Sequence, residues 1–408
     1  MRLDVSTEES PRRVLLVCPE LEFQPRGGAS VYIVGIAQAL RRTGAEVHVL
    51  ATCTSVSAAD WCSGAVLVPP RRRSVLAAAI ALRPAMTSRF DIPLLRQQLR
   101  RLVEQDWDLV CVHHLSGVWA TRILEAAHRR GRVKVWMYCA HNDEVSVRRD
   151  GLRYARLPDW PGRAVDLGQV WQAQRSLLRT PSSITAITPT DAASLGRRSG
   201  RRVVVVPPGS IATRRNAARG TAAPRAIVIA GSLRWRSKAD NLRDLLAACA
   251  DALELAGIQV LVAGKADPSF QRELQERFPA VRYLGEVASL GTVYSQARLA
   301  VIHEPRGGGF KMKVLDYATG GIPIVATAGS LIGQELEPSS FKLVDKLAAL
   351  PAAVADLIDN DADLRRLAIA ARDEVARRYS WDVSAATVLR VPYGEGSTSA
   401  ANRTEGTV

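Results

Sequence analysis

The chain has 408 residues, 47% of them hydrophobic, and a formal net charge of +15. That length and core-forming share suit two large α/β domains. No apolar run is long enough to cross a bilayer; the best, SVLAAAIAL from Ser74 to Leu82, has about half the needed length and arginines on both sides.

The first residues, MRLDVSTEESPRR, lack the apolar stretch of a signal peptide, so a cytoplasmic protein is expected. Six cysteines, at 18, 53, 62, 111, 139 and 249, form no CxxC pair and read as buried thiols rather than zinc or redox motifs. The charge is lopsided: 30 basic against 18 acidic residues through residue 210, and 25 against 22 after it. A basic first half suits nucleic acid, an anionic membrane surface or an acidic acceptor, or is plain solvating arginine. Without basic tracts interleaved with aromatics, nucleic acid is not expected.

Val14–Val17 is a short β-branched run ending at Pro19, as in a buried parallel strand. A loop with Gly27 and Gly28 follows. Ala29–Arg42 then places Val31, Val34, Ile36 and Leu40 at helical spacing, and Gly44 closes the helix. Strands are predicted at Val47–Ala51, Leu109–Val112, Val133–Tyr138, Ile184–Ile187 and Val203–Val206. The stretch PPGSIATRRNAARGTAAPR, from Pro207 to Arg225, has a linker's composition.

The rhythm then restarts with strands at Ala226–Ala230, Val260–Ala263, Val281–Leu284, Leu299–Ile302 and Ile324–Ala326, the last clear one. Helical text fills Pro351–Arg378, and the Gly/Ser/Thr-rich end from Pro392 reads as disordered. Strand–helix repetition in both halves predicts parallel sheets covered on both faces. The expected layout is a domain over 1–209, a linker over 210–225, a domain over 226–380, and a segment from 381 to 408 returning to the first domain before a disordered tail.

The strongest chemical signal is LAVIHEPRGGGFKMKVLDYATGGIPIVAT, from Leu299 to Thr327. A strand ends, glycines allow close backbone approach, and a helix is expected to start near Phe310. Its free N–H groups and dipole make an anion site suited to phosphate. Lys311 and Lys313 add charge, and Asp316 further along the helix suits the two hydroxyls of a ribose. Read alone, the triglycine is a turn with solvated lysines; the strand before it and the Gly–Pro strand after it favour the phosphate site.

This segment resembles the donor-binding motif of GT-B glycosyltransferases of family 4, in the subgroup carrying GGG-x-K-x-KVLE before a G-x-P strand. The resemblance runs from about Arg12 to about Trp381. It implies two Rossmann-like parallel-sheet domains facing each other across a cleft, and a sugar moved from a nucleotide-sugar donor to an acceptor that the sequence does not identify. It implies a ribose role for Asp316, where the family has Glu, and a phosphate role for the backbone at Gly308, Gly309, Phe310 and Lys311. The family's first glutamate falls at Gly308 here, and Glu304 is near but out of register.

RVLLVCPELEFQPRGGAS resembles the family's first strand and glycine loop, which implicates Gly27 and Gly28 on the donor diphosphate. AIVIAGSLRWRSKADNLRDLL resembles the strand opening the second domain, with Lys238 first and Arg234 second among diphosphate candidates that include Arg236. Ser232 stands where the family's arginine is usual. YLGEVASL, containing Val287, resembles the segment edging the nucleobase. His141, after an apolar strand, matches a family histidine near the transferred sugar and is the catalytic candidate; His114 is an acceptor-side candidate.

The resemblance also implies retention of anomeric configuration without a metal or other cofactor. No DxD pair follows a strand, and the DNDAD run at Asp359–Asp363 reads as helix-capping charge. An oxidoreductase is disfavoured because PELEFQPRGGAS lacks GxGxxG. A basic binding protein, or a family member that binds without turnover, remains as a rival. Peripheral contact with an anionic membrane fits either an enzyme or a binder.

Overall fold

The computed structural model of the chain describes residues 12–21, 27–53, 60–69, 84–153, 157–210 and 223–391. Most of the expected linker, the apolar stretch 74–82 and the tail from Pro392 lie outside these residues. The chain forms two compact units, one running to Pro208 and taking back the chain from Trp381, the other Gly209–Ser380.

The first unit holds seven parallel strands: β1 (Arg13–Glu20), β2 (Glu46–Thr52), β3 (Gly64–Val68), β4 (Trp107–His113), β5 (Val133–Ala140), β6 (Ser183–Ala186) and β7 (Val204–Val205). Their order is β3-β2-β1-β4-β5-β6-β7. Leu15, Val17, Val110, Val112, Trp136 and Tyr138 share one core cluster. The alternate residues Val14, Leu16 and Cys111 are buried as well, so both faces are covered and the strands read as continuous apolar runs.

β1 passes through Pro19 instead of stopping there. Its pairing with β2 shifts register between Val17 and Glu20, and such an irregularity accommodates a residue with no N–H to give. β3 was not expected. Its burial is partial and it lies at the sheet edge, where the apolar signal is weakest.

The helix Gly28–Arg42 packs Ile33, Ile36, Ala37 and Leu40 inward. Gly44 follows at φ +86, a left-handed stop that glycine takes without strain. The helix Trp381–Arg390 belongs to this unit. A Cβ at Gly35 would collide with the Trp381 indole, so the glycine lets the two helices meet. Arg42 pairs with Asp382 at 2.6 Å, and Ser384 Oγ donates to the Pro207 carbonyl at 2.6 Å.

The second unit has six parallel strands: β8 (Ala226–Ala230), β9 (Gln259–Ala263), β10 (Arg282–Gly285), β11 (Leu299–Ile302), β12 (Ile324–Thr327) and β13 (Lys342–Val344), in the order β10-β9-β8-β11-β12-β13. Ile227, Ile229, Val260, Val262, Val301 and Val325 line one core cluster. Val228, Ala230, Leu261, Ala263, Ala300 and Ile324 line another. This is the period-two alternation of a sheet buried on both sides.

β13, only three residues long, follows the strand read as last. The helical text divides into Leu350–Ile358 and Asp361–Arg378. The break is at Asn360, whose side chain accepts from Asp363 N–H at 3.1 Å and caps the second helix. Asp359 pairs with Arg225 and Arg298.

All six cysteines are free thiols, five of them buried. Among the described residues no helix is long and apolar enough to cross a membrane. In both sheets the strand order reverses beside the first strand, between β1 and β4 and between β8 and β11. In open α/β sheets ligands bind beyond the strand ends at such a point.

Candidate active site

At the C-terminal ends of the second unit's strands, glycines clear a floor. Gly231 follows β8 at φ +148 and Gly264 follows β9 at φ +150. A Cβ on Gly264 would fall on the Gly231 carbonyl oxygen, and one on Gly231 would stand 2.9 Å from Lys313 Nζ. The floor therefore tolerates no side chain, and Lys313 fills the space above Gly231.

Lys313 Nζ meets Glu304 Oε1 at 2.6 Å, with both side chains nearly buried. Glu304 sits just past β11, its N–H held by Ser330 Oγ at 2.8 Å. Burial pushes the Glu304 pKa up, but the ammonium groups of Lys313, Lys238 and Lys311 outweigh it and hold the carboxylate below its usual range. Lys238, in the first turn of the helix Arg236–Leu255, is half-buried. Burial lowers its pKa; Glu304 pulls it back up and Lys313 pushes it down again. One carboxylate thus answers several ammonium groups at the switch point of the sheet.

The glycine loop is anchored at both ends. Asn241 Nδ2 donates to the Arg306 carbonyl at 2.9 Å. Lys311 Nζ donates back to the carbonyls of Gly307 and Gly309 at 3.0 and 3.3 Å. Gly307 and Gly309, at φ +97 and +80, supply the left-handed turns. Gly308 lies between them and is exposed.

The helix starts later than expected, at Met312, and runs to Thr319 with no side-chain cap. Its first N–H groups are left for an anion. Phe310, expected at the helix start, packs its ring against Tyr379 at 5.3 Å between centroids, in a small apolar cluster with Leu315 and Val375. Its side chain is thus partly committed to the protein's own packing.

Asp316 is exposed on this helix, with neighbouring protein crowding its carboxyl. That crowding raises its pKa to about 6, against a lowering pull from Lys313. Arg234 is exposed on the loop before Arg236. Val287, past β10, rests half-buried against the second core cluster.

In the first unit, Gly27 and Gly28 are exposed at the start of a helix whose Gly27 cap has extended backbone and no side-chain hydrogen bond. His141 directly follows β5 and is 6% exposed. Its Nε2 lies 3.2 Å from Nδ1 of His113, the last residue of β4. Tyr32 packs its ring edge-on against His141 at 5.1 Å and against Trp381 at 5.9 Å.

His114 has both ring nitrogens engaged within the protein. Nδ1 accepts from Ser116 N–H at 3.3 Å, and Nε2 faces Glu144 Oε1 at 3.2 Å. Its φ of +69 is the sole positive value at a described non-glycine residue. The strained turn and these bonds fix the ring as a cap for the following 3-10 turn, which leaves it no nitrogen for an acceptor.

Three members of these groups carry little sign of their role in the sequence: Glu304 lies out of register with the family's glutamate, Lys313 reads as added charge, and His113 is one half of a His–His pair. A charged residue just past a strand at the switch point was the usable signal for the first.

Residues 27–209 match the family of glycosyl transferase 4-like domains, and residues 224–360 match the glycosyl transferases group 1 family. A phosphatidyl-myo-inositol mannosyltransferase of Mycobacterium leprae is 23% identical over 402 residues, covering 93% of this chain and 96% of its own. Among solved structures, the sucrose-phosphate synthase of Thermosynechococcus elongatus aligns with TM-score 0.67 at 16% identity, over 94% of this chain and 98% of its own. Anabaena HepE, solved in complex with UDP and glucose, aligns with TM-score 0.65 at 14% identity, over 93% and 99%. With two matching family domains in sequence order and two parallel-sheet units of matching fold, the chain belongs to the GT-B glycosyltransferases of the group 1, family 4 type and is a glycosyltransferase.

Proposed function

We propose that the enzyme moves a sugar from a nucleoside-diphosphate sugar with retention of configuration and without a metal ion. The observation that carries this reading is the unbalanced charge at the end of β8 and β11. Glu304 is spent on Lys313, and the half-buried Lys238 ammonium has no side-chain hydrogen-bond partner among the described residues. A diphosphate supplies the missing negative charge. Breaking the bond between sugar and diphosphate adds charge to the leaving phosphate, and a preorganised ammonium and bare helix N–H groups stabilise it. One such donor is worth about 2.7–4 kcal/mol in the transition state.

Asp316 receives the ribose hydroxyls, the Val287 segment edges the base, and Arg234 serves the phosphates. His141 donates a hydrogen bond to the transferred sugar. HepE, which binds UDP and glucose, supports a donor of this class.

For the acceptor we infer a molecule presented at an anionic membrane surface. Leu157, Trp160, Val165 and Trp171 are exposed large apolar side chains on one helical stretch. Arg175 lies over the Trp171 ring at 5.0 Å. Tryptophan beside arginine suits the boundary of an anionic bilayer. The mycobacterial relative, named for phosphatidyl-myo-inositol, fits an acceptor of this kind.

A thermal-shift panel of uridine, guanosine and thymidine diphosphate sugars tests the donor: at least one raises the melting temperature. No shift with any of them, in protein shown to be folded, refutes the reading. Sedimentation with phosphatidylglycerol vesicles, but not with neutral ones, tests the membrane, and loss of that difference rules it out.

A further inference from the structure

We propose that His113 locks the tautomer of His141, so that His141 presents an N–H donor from Nδ1 and cannot act as a base. A single proton lies between His113 Nδ1 and His141 Nε2, 3.2 Å apart. If it belonged to His141, then neutral His113 would carry its own proton on Nε2. That atom is buried and has no hydrogen-bond partner.

A buried N–H without an acceptor is rarer and costlier than a buried bare lone pair. The proton therefore sits on His113 Nδ1, and His113 Nε2 is the bare nitrogen. His141 Nε2 then accepts, and its own proton goes to Nδ1, which has no partner within the described chain and is not sealed from solvent. Burial, with the neighbouring histidines second, keeps both rings neutral, lowering the His113 pKa to about 3 and that of His141 well below its usual value.

The surroundings hold the pair in place. Backbone pairing sets His113 opposite Cys139 across β4 and β5. Tyr32 lies edge-on to both imidazoles, with centroids 6.2 and 5.1 Å away, and its hydroxyl is tied to the Val206 carbonyl at 2.9 Å. His113 is thus a positioning residue: it touches no ligand itself and acts through His141. The ring edge it presents suits a sugar hydroxyl oxygen as acceptor. Only the effect on turnover rests on the proposed sugar contact of His141; the tautomer does not.

The test is long-range 1H–15N NMR of the histidine rings in the full-length protein, together with two variants. In the wild type, His141 Nδ1 is expected protonated and Nε2 bare. In His113→Leu, His141 mixes tautomers and kcat falls about five- to tenfold, with little change in donor KM. This is read as hydrolysis of whichever of the uridine, guanosine or thymidine diphosphate sugars is turned over. His113→Asn, whose amide nitrogen stands in for Nδ1, retains the Nδ1-protonated His141 and stays within about threefold of wild-type kcat. A wild-type spectrum with His141 protonated at Nε2 overturns the proposal, as does His113→Leu with unchanged spectrum and kcat. If the spectrum holds and His141→Ala turns over normally, the lock stands and the sugar contact falls.

Discussion

Lys238→Met is expected to weaken nucleotide-sugar binding while leaving the fold about as stable as before. Lys238 is penalised by burial and by the Lys313 charge, and Glu304, the one acid pulling its pKa back, is held by Lys313 at 2.6 Å. In Lys238→Met the stem keeps its packing, and an ammonium whose one nearby carboxylate is already paired with Lys313 disappears. Stability is expected to change by no more than about 0.5 kcal/mol, or to rise slightly. By contrast, the proposed diphosphate contact loses a charged hydrogen bond worth about 1.5–3 kcal/mol, which is expected to weaken nucleotide-sugar binding roughly 10- to 100-fold. Turnover falls further, because the leaving phosphate gains charge as the bond breaks. Calorimetric titration with the best-bound nucleotide sugar, beside thermal melting, reads both quantities. Unchanged affinity in the folded variant refutes the diphosphate assignment. A melting temperature lowered by more than about 5 °C refutes the claim that the Lys238 ammonium adds little to the fold's stability.

Lys313→Met breaks the buried pair and leaves Glu304 with weaker partners, so it costs about 3 kcal/mol of stability in a urea melt whatever its effect on binding. Binding of a nucleotide sugar, whose doubly esterified diphosphate does not titrate in this range, is expected to strengthen as pH rises through about 6 and then level off, because in the proposed contact an ionised Asp316 accepts both ribose hydroxyls, whereas the protonated acid accepts on one oxygen only. Titrations from pH 5 to 8 read this, and Asp316→Asn gives a flat profile. The same raised pKa means that the fold favours the protonated carboxyl. Its stabilising contribution is full below the ordinary value of 3.8 and is lost as pH climbs to about 6. Gly264→Ala, which places a methyl on the Gly231 carbonyl at φ +150, loses about 3 kcal/mol or more in the same melt.

Much of the fold was legible in local text. β8 occupies Ala226–Ala230, as its apolar run and flanking residues indicated, and the strand–helix alternation forecast two parallel sheets. What escaped was marginal in apolar content or offset by context: the half-buried edge strand β3, the three-residue β13, and the break at Asn360 in what reads as one helix. In the site, the glycines were visible because left-handed turns and close approaches exclude other residues. The individual side-chain roles were not. Phe310 turned to Tyr379, and Lys311 curled back onto the loop carbonyls.

The class of fold and the place of the glycine loop are legible in the chain's own text, because continuous apolar runs and glycine positions are local properties. Tertiary structure alone decided which charges and rings meet. Glu304 and Lys313 are nine positions apart across a glycine turn, and His113 and His141 stand 28 apart on neighbouring strands. Their pairing follows from strand order and from the loss of water around them, and neither is written in any short stretch of residues.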